Sequence, residues 1–133
     1  MAVRRLLSFL GIFAAALFGG CMRSSATKAD IVGSWKARDG AVIILEDNGQ
    51  FSAQELPGSL VFRDDDRRDR LSGNGTWSLK EGVIGPDIEL VFGRIGDRLH
   101  GHRMRVLMSG SGSSVQLFLW IREEGGARYV FAK

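Results

Sequence analysis

The chain has 133 residues, 44% hydrophobic and 25% charged, a profile that accommodates one globular domain plus a short extra segment and excludes a second large core. The formal charge is +3, but Arg4 and Arg5 belong to the leading segment described next. Without them 16 basic residues face 15 acidic ones, which argues against a nucleic-acid partner.

Met1 to Arg5 carries two positive charges, Leu6 to Phe18 is apolar apart from Ser8, and Gly19 and Gly20 precede Cys21. This is the pattern of an export signal over residues 1–20. At about 1.5 Å per residue the apolar run reaches about 20 Å, against roughly 30 Å for a bilayer core, so it reads as a removable helix and not as a permanent span. Arg4-Arg5 also suggests twin-arginine export, but Val3 and Leu6 to Ser8 do not continue that pattern.

Cys21 is the only cysteine, so no internal disulfide can form. An unpaired thiol in an exported chain is inert near a cleavage site, paired to another molecule, or modified. Leu17-Phe18-Gly19-Gly20-Cys21 resembles the lipobox of bacterial lipoproteins, with Phe18 where that family usually carries Leu. The resemblance implies lipidation of Cys21 as the mature first residue. It also implies anchorage to a bacterial membrane, at the outer face of the cytoplasmic membrane or at the outer membrane. Met22 in place of Asp after the cysteine is compatible with the second destination. Residues 21–29 are then a lipidated tether, polar and without periodicity, and the domain proper is expected over 30–133.

Eighteen glycines and two prolines favour short strands and tight turns over long helices. Alternating apolar and polar residues predict strands at Val32–Ala37, Ala41–Glu46 and Gln50–Leu56, joined by Arg38-Asp39-Gly40 and Asp47-Asn48-Gly49. After a long connection, further strands are expected at Gly75–Leu79, Ile88–Phe92, Arg98–Met108, Val115–Arg122 and Ala127–Ala132. Short connections permit only antiparallel neighbours, so the fold class is all-β, an up-and-down meander of about eight strands.

Gly33-Ser34-Trp35 and Gly75-Thr76-Trp77 are each followed at the same spacing by an acidic residue, a glycine and the start of a return strand. One hairpin design is used twice, each time with an inward Trp. Closing the sheet into a barrel would bury a continuous apolar face and remove the edges. Gly33-Ser34-Trp35 resembles the Gly-x-Trp motif of lipocalin-like barrels, and the mature domain is similar to small bacterial lipocalin-like lipoproteins. That resemblance implies Trp35 plugging one barrel end against an arginine from the last strands, for which Arg122 and Arg128 are the available positions.

Trp35, Trp77 and Trp120 either line a pocket for an apolar ligand or pack as core. On the strand Val115–Arg122, Val115, Leu117, Leu119 and Ile121 face one way while Phe118 and Trp120 face the other. The second face needs a cover, for which Leu60, Val61 and Phe62 are candidates, or is a contact patch. The candidate ligand-binding residues are therefore Trp35, Trp77, Phe118 and Trp120.

No catalytic constellation, cofactor motif or metal site stands out. The run Asp64 to Arg70 mixes both signs and lacks calcium-loop spacing, so it reads as a solvated loop tip. His100 and His102 share a strand face without a third ligand and read as exposed. Neither sits in a nucleophile motif. The expectation is a non-enzymatic binding module for a small apolar ligand, held at a membrane by its lipid. The alternative is an envelope protein-interaction lipoprotein with a filled barrel.

Overall fold

Alternating apolar residues on eight short segments produce eight antiparallel strands that close into an up-and-down barrel in the computed structural model. It describes residues 26–82, 85–121 and 126–133, with nothing stated of the side chains at 98–100. The export signal 1–20, Cys21 and Arg122 lie outside these residues. The strands are β1 (Gly33–Ala37), β2 (Val42–Leu45), β3 (Gln50–Pro57), β4 (Arg70–Glu81), β5 (Pro86–Ile95), β6 (Arg98–Ser109), β7 (Gln116–Trp120) and β8 (Arg128–Ala132). Closure is made where β8 returns to β1, pairing Lys36 with Ala132 and Ala37 with Phe131.

The strands β4 and β5 extend well beyond the segments read from alternation, because glycines inside them carry no turn. A side chain at Gly73 or Gly75 would meet the carbonyl of Arg94 or Val91, so these glycines let β4 press against β5. Register shifts lie beside them, between Asn74 and Gly75 on β4 and between Phe92 and Arg94 on β5. Bulges of this kind bend a sheet sharply enough to close a small barrel.

One barrel end, the floor, collects the β2–β3, β4–β5 and β6–β7 connections and a one-turn helix α1 (Lys28–Ile31). The Asp30 carboxylate accepts from the backbone N–H of Thr27 at 2.9 Å and from its hydroxyl at 3.1 Å, which fixes the turn. Ala26 and Ile31 are buried in the core, so residues 26–29 of the expected tether are folded onto the barrel. Trp35 donates its indole N–H to the Ile31 carbonyl at 2.7 Å, and Trp77 donates to the Glu46 carbonyl at 2.8 Å. Both indoles therefore bury their rings without leaving a polar atom unmet. The cation over Trp35 is Lys133, 5.6 Å from the ring centre, not an arginine. Arg128 lies outside the barrel, because its register partner Trp120 faces outward.

The opposite end, the lid, carries a second one-turn helix α2 (Gly58–Val61), whose Leu60 and Val61 join the core. Between floor and lid the inward side chains make one contiguous core, with Trp35, Phe92 and Phe131 fully buried and Phe51 edge-on to Phe92 at 4.9 Å. Ile121 is the exception to the expected inward face of the seventh strand. That strand ends at Trp120, and Ile121 is 40% exposed.

Two substitutions test this packing. Trp35→Phe leaves the Ile31 carbonyl unpaired in the floor and is expected to lower unfolding free energy by about 1–3 kcal/mol, read by urea titration. Gly75→Ala forces β4 off β5 and is expected to cost about 2 kcal/mol or more. An unchanged midpoint for either would refute the corresponding contact.

Candidate functional site

The wall of the barrel is incomplete at one place. Strand β6 pairs with β5 along most of its length, and β7 pairs with β8 from Leu117 to Trp120. Between β6 and β7, however, pairing covers only Leu107 with Phe118, Met108 with Leu117 and Ser109 with Gln116. Towards the lid the two strands part.

The end of α2 and the two residues after it occupy the gap. His102, on the inner face opposite Phe92, donates Nε2–H to the Val61 carbonyl at 2.7 Å, since a carbonyl can only accept. Phe62 tilts against the His102 ring at 4.9 Å. Arg63, in the left-handed region at φ 53°, donates from Nη1 to the Trp120 carbonyl at 2.7 Å. Arg67 stacks over Phe62 at 4.5 Å and is held by two hydrogen bonds to the Asp69 carboxylate, at 3.1 and 2.6 Å. Side-chain hydrogen bonds thus stand where a strand ladder is missing.

Beside this plug lies a groove of about 450 Å³. Phe62, Leu107 and Trp120 line it together with the buried Leu60, Met104 and Leu119. Met104 and Leu119 belong to the barrel core, so the groove reaches through the wall to the apolar interior. Arg63, Arg103 and Arg105 line it as well. Another recess of about 430 Å³, near the β3 bulge, is lined mainly by polar groups such as Ser52, Asn74 and Arg94. The seam is where core apolar surface meets solvent.

The four aromatic candidates do not come together. Trp35 and Trp77 are floor packing, each with its N–H used internally. Phe118 and Trp120 lie on the outer face, edge-on at 5.4 Å, with the Arg128 guanidinium 4.3 Å and 4.9 Å from their ring centres. Of the four, Trp120 alone lines the groove. The cover over Phe118 is Arg128, whereas Leu60 and Val61 go to the core. Leu60, Phe62, Arg63, Met104 and Leu119 were not singled out as a site by sequence. For Leu60 and Phe62 the signal was an apolar triplet stranded in a long connection; Arg63, Met104 and Leu119 carried none.

Other chemistry-bearing groups have structural partners. His102 is half-buried and bonded, not exposed, because register with Phe92 turns it inward. The side chain of His100 lies outside what is described. Within Asp64 to Arg70, Asp64 accepts from the Asp66 N–H at 3.1 Å, and Arg70 reaches the Asp39 carboxylate at 2.8 Å and the Glu55 carbonyl at 3.1 Å. Among the described residues no group of three His, Cys, Asp or Glu is placed to hold a metal.

Asp39 also accepts a short hydrogen bond from the Tyr129 hydroxyl, which ties the first hairpin turn to β4 and β8. Burial pushes the Asp39 carboxyl up, but the hydrogen bonds from Tyr129 and Arg70 outweigh it and hold it below its ordinary value. Burial, reinforced by Asp39, pushes the Tyr129 phenol up. A phenol that holds its proton this firmly is poorly suited to act as a base, so the cluster is a clamp on the lid end.

No protein-family model, no curated protein and no solved structure matches this chain.

The clamp predicts an acid dependence. A carboxyl held below its unfolded value contributes stability that is complete above about pH 4 and is lost as pH falls through the folded value. Asp39→Asn is expected to lower the urea midpoint at pH 7 and to narrow its drop between pH 7 and pH 3. Identical pH dependence in both proteins would remove Asp39 from this role.

Proposed function

We propose that the chain is an exported, lipid-anchored, non-enzymatic binding module that takes a small apolar molecule in the seam groove and not in the barrel interior. The observation that carries this is the contrast between a contiguous core from floor to lid and an opening between β6 and β7 lined by Met104 and Leu119. A volume of about 450 Å³ lies in the range of about 300–1,000 Å³ usual for small-molecule sites. Export and lipidation rest on the leading segment and Cys21, and the lipocalin-like reading rests on Gly33-Ser34-Trp35. A plugged floor beneath Trp35 fits that last reading, with Lys133 in the place expected of an arginine.

A second reading, contact with another envelope protein, is favoured by the outer face of β7 and β8. Val130 is 38% exposed there, beside Phe118. Aromatic and arginine groups of this kind are the usual anchors of protein contacts.

Titration of the full chain with N-phenyl-1-naphthylamine, a neutral apolar fluorophore, separates the two. Uptake of one equivalent is expected, and Leu107→Trp, which fills the groove from its half-buried wall, is expected to weaken it about tenfold. Uptake that Leu107→Trp leaves unchanged in a folded protein would refute the seam as the site. Mass spectrometry of the protein made in a bacterium is expected to find Cys21 acylated and first; an intact Met1 with a free thiol would overturn the anchored reading.

A further inference from the structure

We infer that the seam groove is built for a single-chain anionic amphiphile, its apolar tail lying on Met104 and Leu119 and its carboxylate or phosphate head meeting Arg63 and Arg105. This deepens the proposed seam reading and rests on it.

The lining is asymmetric in charge. Among the described residues it contains Arg63, Arg103 and Arg105 and no carboxylate. Arg103 is neutralised at 2.9 Å by Glu89 on β5. Arg105 forms a longer ion pair with Asp87 at 3.8 Å, beyond hydrogen-bond distance, so its N–H donors stay free for a ligand. Arg63 uses Nη1 on the Trp120 carbonyl and has no carboxylate partner among the described residues. Two guanidinium groups with unspent donors therefore flank an apolar lining. Guanidinium is the side chain best shaped to take carboxylate or phosphate oxygens in pairs, and next to apolar surface such bonds strengthen. An anionic head would answer the charge of Arg63, which has no carboxylate partner among the described residues, and a cationic head would be repelled.

The placement favours a free molecule over a bilayer surface. Ala26 lies at the floor with α1, and the five residues back to Cys21 span at most about 18 Å. An acylated Cys21 would therefore hold the membrane within that reach of the floor, while α2 and Trp120, which line the groove, belong to the lid end. The cleft is also concave, with core residues at its base, which suits one chain better than a flat lipid surface.

Calorimetric titration of the full chain compares dodecanoate with dodecyltrimethylammonium, both below their micelle concentrations. Dodecanoate is expected to bind one to one and about tenfold tighter or better. Arg105→Ala and Arg63→Ala, each checked for folding, are expected to reduce that preference, and the double variant to abolish it while naphthylamine uptake persists. Equal binding of the two amphiphiles, with the naphthylamine still taken up, would overturn the headgroup assignment and leave the seam reading standing. Failure of all three probes would overturn both. Co-sedimentation with phosphatidylglycerol vesicles without dodecanoate binding would overturn the free-ligand assignment in favour of a membrane surface.

Discussion

The length mismatch between β6 and β7 is the constraint on which the rest of the molecule turns. A strand of 12 residues beside one of five cannot stay paired throughout, and in a closed barrel the unpaired part is a slot in the wall. An open slot would expose core side chains and leave backbone groups unmet. The chain answers with the segment after β3, which turns inward as α2 and sets the Val61 carbonyl and the Arg63 guanidinium against opposite sides of the slot. The left-handed backbone at Arg63 follows α2 directly, where the chain leaves the helix and its guanidinium reaches the Trp120 carbonyl. The groove is what remains when a plug of a few residues fills a slot slightly too large for it.

Seen this way, the two ends of the barrel are closed by different physics. The floor is closed by indoles that spend their N–H groups on carbonyls beneath them, with Lys133 and Lys28 over the rings. The lid is closed by apolar residues of α2 and by the ionic clamp of Asp39, Arg70 and Tyr129. An indole seal is insensitive to pH and salt, whereas a partly exposed ionic clamp responds to both. The end next to the groove is thus the more responsive one.

Much of the fold was legible because its cause is local. Alternation in segments such as Ile88–Phe92 and Val115–Trp120, with Asn48-Gly49 and Asp39-Gly40 between strands, encodes strand, face and turn within a few residues. The repeated Gly-x-Trp hairpins gave both inward indoles. The extent of β4 before Gly75 was hidden because Gly73 looks like a turn residue, and its actual purpose depends on Arg94 of a neighbouring strand. His102 was misplaced for a related reason. Its face is set by register with Phe92, which a single strand does not reveal. The seam was illegible altogether, because it arises from a difference in length between two strands and not from any motif. Only the stranded triplet Leu60-Val61-Phe62 hinted that something in the connection had to go inside.

Closure between β1 and β8 also shapes how the chain comes to be folded. The residues that join the ring, Lys36 and Ala132, are separated by roughly a hundred positions, so the closing hydrogen-bonded pairing brings together the first and last strands of the barrel. Until β8 has emerged, β1 presents a bare edge to its surroundings. A chain delivered amino end first therefore passes through a vulnerable stage that lasts until β8 is released to cover that edge, the moment at which a holding chaperone would protect it.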